Sequence, residues 1–170
     1  MPRTRTIHIV DEDGSACLAL RHAMADMGYA VRSFASVDDF VSFGRPDDPD
    51  CVLLDVGRTD HSGFELQRQI ALEGATVPVI FITGDGDMLM SLGSLATVAT
   101  QMPENLAIIV LDNEKFGETG NQATHTSPRN NGPTDSGAGT DLAMIARGCG
   151  IADATTVRES SEVAELVKDV

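Results

Sequence analysis

Lysine is nearly missing from this chain. Only Lys115 and Lys168 occur, and residues 1–83 contain seven arginines and no lysine. The formal charge is −14. That excludes sequence-independent nucleic-acid binding, which needs a basic footprint. No apolar run approaches the roughly 20 residues that span a bilayer, so no membrane partner is expected. Three cysteines, Cys17, Cys51 and Cys149, are too few and too scattered for a disulfide framework or a zinc site. Cys17 and Cys51 fall in apolar patterns and read as buried thiols. The segment Met1 to Arg5 leads straight into a strand without a secretory h-region, which points to a cytoplasmic protein. What remains is an acidic chain of 170 residues, 42% apolar. A chain of this length suits one domain that buries roughly 70% of its unfolded surface.

The stretch around which the chain is organised is Gly84-Asp85-Gly86-Asp87, directly after the apolar run Pro78 to Thr83. Thr6 to Val10 predicts a strand that ends in Asp11-Glu12-Asp13. Cys17, Leu20, Met24 and Met27 recur at helical spacing and predict a core-facing stripe closed by Gly28. Ala30 to Phe34 is a second strand. Ser36 caps a helix expected to bury Val37, Phe40 and Val41. After the Arg45 to Asp50 turn, Cys51 to Leu54 has the unbroken apolar pattern of a parallel strand covered on both faces and runs into Asp55. Ser62-Gly63-Phe64-Glu65 is a capping box that opens a helix with Leu66 and Ile70 inward, ended by Gly74. Val79 to Thr83 is the fourth strand.

Beyond it, Met88, Leu92, Leu95, Ala99 and Met102 predict one helical stripe stopped by Pro103. Leu106 to Leu111 predicts a fifth buried strand, ending in Asp112-Asn113. Residues Gly117 to Gly139 lack periodicity and read as a long loop. A short helix (Asp141 to Arg147), a strand (Ala154 to Val157) and a final helix (Ser161 to Val170) complete the prediction. Strands alternating with helices give an α/β fold: a doubly wound parallel sheet with helices on both faces.

Three strands end in acids, Asp11-Glu12, Asp55 and Gly84-Asp85. In such a sheet adjacent strand ends converge on one crevice. Crowded carboxylates raise one another's pKa unless a cation sits among them. Oxygen-only donors suit Mg²⁺.

Residues 5–87 resemble the response-regulator receiver domains of two-component systems, especially those attached to transcriptional regulators. The matching stretches are I-H-I-V-D-E-D, S-F-A-S-V-D-D-F, V-L-L-D-V, S-G-F-E-L-Q-R and P-V-I-F-I-T-G-D-G-D. The resemblance implies a flavodoxin-like fold, with Asp55 accepting a phosphoryl group from a sensor histidine kinase. Asp11, Glu12, Asp55 and the carbonyl of Gly57 would hold Mg²⁺, and Thr83 would be the hydroxyl that turns inward. The chain departs from the pattern in two places. Gly57-Arg58-Thr59 stands where receivers carry a Met-Pro pair. The lysine at the end of the fifth strand is missing, and Lys115 is its only candidate substitute, with no proline after it.

Residues 84–170 resemble a different family, the thiamine-diphosphate enzymes of the phosphonopyruvate and sulfopyruvate decarboxylase type. Here the matching runs are G-D-G, D-M-L-M-S-L-G-S-L-A-T-V-A and V-L-D-N-E-K-F-G-E-T-G-N-Q-A-T-H-T. The resemblance implies that Gly84, Asp85, Gly86 and Asn113 form the metal-diphosphate motif. Asp85, Asn113 and the Lys115 carbonyl would bind Mg²⁺ carrying thiamine diphosphate, with the loop Gly117 to Thr126 packed over the cofactor. In that family a separate pyrimidine-binding domain supplies the activating glutamate. A partner subunit would have to provide it, and no independent enzymatic activity is expected.

The expectation is thus a single α/β domain over residues 1–170, made of a receiver-like half (1–83) and a thiamine-diphosphate-enzyme-like half (84–170). Such a splice points to a recombinant or engineered chimera, with natural gene fusion as the alternative. Three functional readings stand: a receiver-like Mg²⁺-binding signalling domain, a thiamine-diphosphate-binding fragment or subunit, and an inactive scaffold. Among the histidines, His8 reads as partly buried and structural and His22 as a helix-surface residue. His125 reads as a solvated loop residue, with contact to a substrate as its functional alternative, and His61 beside the acidic crevice has modulation of phosphorylation as a weaker one.

Overall fold

In the computed structural model, residues 4–11, 13–43, 49–55, 77–127, 139–159 and 162 are described. Five strands, β1 (Thr6–Val10), β2 (Ala30–Phe34), β3 (Cys51–Asp55), β4 (Val79–Gly84) and β5 (Leu106–Leu111), form one parallel sheet in the order β2-β1-β3-β4-β5. This is the flavodoxin-like doubly wound order, in which the strand order reverses beside β1. The register runs unbroken across the join: Asp55 pairs with Ile82 between β3 and β4, and Thr83 with Val110 between β4 and β5.

Period-two alternation sends side chains to two faces. On one face Ile7, Ile9 and Leu53 meet Cys17 of α1 (Gly14–Asp26), with Leu20 and Met24 packed against them. The other face carries Val10, Phe34, Val52, Leu54, Val79 and Phe81, covered in part by Val37 and Phe40 of α2 (Val37–Phe43). His8 is fully buried rather than partly so, edge-on to Phe34 at 5.3 Å and to Phe40 at 5.8 Å. Further along, Met88 and Leu95 of α3 (Asp85–Met90) and α4 (Gly93–Gln101) form a third cluster with Ala146 of α5 (Leu142–Cys149). Two predicted caps hold. The Asp39 N–H donates to Ser36 Oγ at 3.0 Å, and Gly28 closes α1 with φ +89°.

Several expectations are corrected. Met27 is 63% exposed because α1 ends at Asp26 and the chain turns at Gly28 before the stripe completes. Val41 is exposed, and Phe43 instead closes on Phe34 and lies under the Arg32 guanidinium. The stripe after the join belongs to two helices, broken at Ser91–Leu92, and Met102 is an exposed C-cap with φ +46°. β5 is an edge strand rather than a doubly covered one: Ile108 and Val110 pack inward, whereas Ile109 and Leu111 are exposed. Ala154 to Val157 is no strand; the Ala154 carbonyl accepts from the Arg147 guanidinium instead.

The loop after Gly117 is partly structured, since β6 (Lys115–Phe116) pairs antiparallel with β7 (Gln122–Ala123) and Thr124, Thr126 and Ser127 are buried. The short helix starts at its Asp141 cap, whose Oδ1 accepts from the Met144 N–H at 2.8 Å, and ends at Gly150 with φ +109°. The capping-box helix, residues 128–138 and the body of the final helix lie outside the described residues. Among the described residues, no helix is long and apolar enough to cross a membrane.

Candidate functional site

Parallel strands of one sheet bring their carboxyl ends to one edge, and here three neighbouring strands deliver polar residues there. Asp11 follows Val10, which pairs with Leu54, so Asp11 and Asp55 extend from adjacent strand ends. Asp11 is buried, and its Oδ1 accepts from the Asp13 N–H at 2.7 Å. Asp55 is half-buried and Thr83, on β4, is buried. Glu12, Gly57 and His61 lie outside the described residues. Leu111 pairs with Gly84, so Asp112 and Asn113 stand directly beyond β5, where receivers carry their lysine. Lys115 belongs to the β6–β7 hairpin and is exposed.

A densely hydrogen-bonded polar cluster surrounds Asp85. Asp85 opens α3 and is 0% exposed. A carboxylate buried this deeply needs hydrogen-bond donors. Its Oδ2 accepts from Thr124 Oγ1 at 2.5 Å and from Thr126 Oγ1 at 3.0 Å, while Oδ1 faces the Asn113 N–H at 3.3 Å. The two hydroxyls lie 2.7 Å apart, and Thr126 also reaches Asp112 Oδ1 at 2.9 Å. Asn113 Oδ1 accepts from the Lys115 N–H at 2.9 Å, which folds the turn that brings the hairpin back over α3.

Between α3 and that hairpin is a cleft of about 130 Å³, lined by Gly84, Gly86, Asp87, Asn113, Lys115 and Glu118 among others. A side chain at position 86 would crowd the hairpin. A Cβ there would stand 2.8 Å from Phe116 Cδ1 and 3.4 Å from the Lys115 carbonyl oxygen. Whole-ligand pockets run to roughly 300–1,000 Å³, so this cleft suits an ion with a phosphate-sized group and not an entire cofactor. The lining offers hard oxygens of the kind magnesium takes, the carboxylates of Asp87 and Glu118 and the amide oxygen of Asn113, while Asp85 lies fully buried behind it against the Asn113 N–H. Among the described residues, no three His, Cys, Asp or Glu side chains converge as a metal group. Mg²⁺ takes one or two carboxylates and keeps several waters, so such a convergence is not required.

Asp87 at the cleft has its carboxyl pushed up, first by burial and then by the negative charges of Glu118, Asp55 and Asp85; a backbone hydrogen bond with Gly84 pulls it partly back. Asp55 at the end of β3 and Asp85 at the start of α3 thus act on one group. Asp87, Glu118, Thr124 and Thr126 were missed as site residues in the sequence. The alternation in Thr124-His125-Thr126, polar residues pointing alternately in and out, was the available signal. His125 itself is exposed, as is His22.

A family model described as the response regulator receiver domain matches residues 7–102. Another, described as the thiamine pyrophosphate enzyme C-terminal TPP binding domain, matches residues 55–170. The chain belongs to both families. The two matches overlap from Asp55 to Met102, the stretch that contains β4 and the Gly84–Asp87 turn. This receiver and thiamine-pyrophosphate-enzyme chain is 45% identical over 78 residues to the sulfopyruvate decarboxylase subunit beta of Methanocaldococcus jannaschii, covering 46% of this chain and 36% of that protein. It is 32% identical over 93 residues to the response regulator protein TodT of Pseudomonas putida, covering 55% of this chain and 41% of that one. The chain therefore spans about two fifths of these relatives. Among solved structures, the response regulator StyR superimposes with a TM-score of 0.52 at 28% identity, covering 65% of this chain and 52% of that one. FixJ-N, at 20% identity and a TM-score of 0.51, covers 92% of this chain and 100% of that one, a likeness of fold alone.

Proposed function

We propose that this chain is a cytoplasmic, receiver-like Mg²⁺-binding signalling domain that accepts a phosphoryl group at Asp55, donated by a sensor histidine kinase. The observation that carries the reading is the adjacency of Asp11, Asp55 and Thr83 at the ends of β1, β3 and β4 in a sheet of receiver order. Asp11, Glu12, Asp55 and the Gly57 carbonyl would hold the ion, which supplies charge neutralisation when bound. An Asp55 carboxylate oxygen attacks the phosphorus of the donor in line, the bond to the donor's leaving group breaks, and an acyl phosphate forms. Thr83 is the hydroxyl nearest this end of β4, and Lys115 would supply the cationic contact. The two halves, 1–83 and 84–170, act as one α/β domain. Intact mass after incubation with a small phosphodonor and Mg²⁺ tests the reading. A single phosphoryl adduct, absent from Asp55→Asn, is expected; no adduct on the parent chain refutes it.

The Asp85 cluster favours a second reading. Asp85, Asn113 and the Lys115 carbonyl would bind Mg²⁺ with the diphosphate of thiamine diphosphate, in a fragment that depends on a pyrimidine-binding partner subunit and has no activity by itself. Glycine at 86 and the 130 Å³ cleft support it. Cofactor binding that survives Asp55→Asn and is lost in Asp85→Ala is the expected result. Binding unaffected by Asp85→Ala would sink it.

A further inference from the structure

Thr124 and Thr126 lie outside every ligand set assigned above, yet both are buried and both converge on a single carboxylate oxygen. We propose that they are positioning residues, a neutral clamp that turns the Asp85 carboxylate so that Oδ1 is presented to a divalent cation beside Asn113. This rests on the metal-diphosphate reading of Asp85 and deepens it.

The two oxygens of Asp85 are treated very differently. Oδ2 takes both threonine hydroxyls, at 2.5 and 3.0 Å. Among the described residues Oδ1 has one contact, the long 3.3 Å one from the Asn113 N–H, against two shorter ones at Oδ2. The two oxygens of a carboxylate are equivalent, so a half-turn restores the same contacts, but any smaller rotation about the Cβ–Cγ bond breaks the short ones, and the plane of the carboxylate is held. Asn113, whose side-chain oxygen is the second proposed donor, sits on the Oδ1 side.

The chemistry of the clamp also matters. A lysine or arginine at Oδ2 would hold the carboxylate equally well but would cancel the charge that attracts the cation. A hydroxyl donates without carrying charge. Thr126 further ties the clamp to Asp112, the residue before Asn113, through its 2.9 Å contact with Oδ1. The single Thr126 hydroxyl proton is shared between Asp85 Oδ2 and Asp112 Oδ1, so the hydroxyl links Asp85 to the turn that supplies the next ligand. Outer-shell partners of this kind typically change metal affinity by about 10–100-fold when removed.

The full chain carrying Asp55→Asn, which removes the acceptor carboxylate of the neighbouring crevice, is titrated with Mn²⁺, and the free ion is followed by electron paramagnetic resonance. Five forms are compared: this parent, Asp85→Ala, Thr124→Val, Thr126→Val and Thr124→Ser. Loss of binding in Asp85→Ala establishes the site. Against that background each valine variant, which keeps the shape and removes the hydroxyl, is expected to bind at least about tenfold more weakly, while Thr124→Ser stays close to the parent. Valine variants that bind like the parent overturn the clamp and leave the metal reading standing. Binding unchanged by Asp85→Ala overturns both. If the valine variants lose their cooperative melt, Thr124→Ser decides: parent-like affinity supports the clamp, and a loss comparable to Asp85→Ala overturns it.

Discussion

Thr83 lies opposite Val110 in the β4–β5 ladder. Thr83 lies within the receiver match and Val110 only within the thiamine pyrophosphate enzyme match, so segments matched to different families share one sheet ladder. Phe81, two residues earlier and fully buried, packs in one cluster with Val10 and Phe34 on one side and Leu106 and Ile108 on the other.

That cluster predicts that the halves unfold together. Phe81→Ala removes a ring from the shared core and should cost about 3–5 kcal/mol, a large share of a typical domain's stability. Native-state hydrogen exchange should show equal losses of protection for the slowest amides of β1 and β5. A loss confined to one strand would mean that the halves melt separately.

Gly86→Ala should destabilise the chain and close the cleft. The new methyl meets the Phe116 ring at 2.8 Å and the Phe116 Cα at 3.3 Å, and the latter is backbone. Overpacking of this kind costs about 1–3 kcal/mol. Thermal melting measures the cost, and loss of Mn²⁺ affinity measures the closure. A variant unchanged in both would contradict the close approach of the hairpin to α3.

Asp87 predicts a pH dependence. Its folded-state carboxyl is raised above the ordinary value, so between the two values the folded form holds more protons than the unfolded form. Stability from this group therefore falls as pH rises through that window. Asp87→Asn should melt higher than the parent near pH 7, with the difference vanishing towards about pH 3. A difference that persists in acid would place its origin elsewhere.

Cys51 should be inert in the native protein. Burial pushes its thiol up to about 11, which leaves about one thiolate in a thousand at pH 8. The Cys17 thiol is raised as well, again chiefly by burial. Iodoacetamide followed by peptide mass mapping should leave both unlabelled until denaturant is added. Rapid native labelling of Cys51 would contradict its placement at the start of β3.

The sheet was readable because its cause is local. The continuous apolar run of β3, ended by an acid, satisfies burial as a covered parallel strand, and it was found so. The caps at Ser36 and Gly28 were readable for the same reason: each acts within one turn of chain. The errors at Met27, Val41 and β5 arose where a neighbouring element decides burial. A hydrophobic pattern states what a strand face can bury; whether anything covers Ile109 and Leu111 depends on what packs there.

At the site, the sequence alone determined which residues carry charge and at which strand ends they stand. The resemblance to two families was legible in contiguous motifs, and both were borne out. Only the tertiary structure decided that Thr124 and Thr126, 39 and 41 residues from Asp85 along the chain, close on one of its oxygens. It also decided that Lys115 departs into a hairpin instead of ending β5. Hydrogen bonds between residues so far apart in sequence leave no periodic trace. They exist because the sheet sets strand ends side by side and the β6–β7 hairpin folds back over α3.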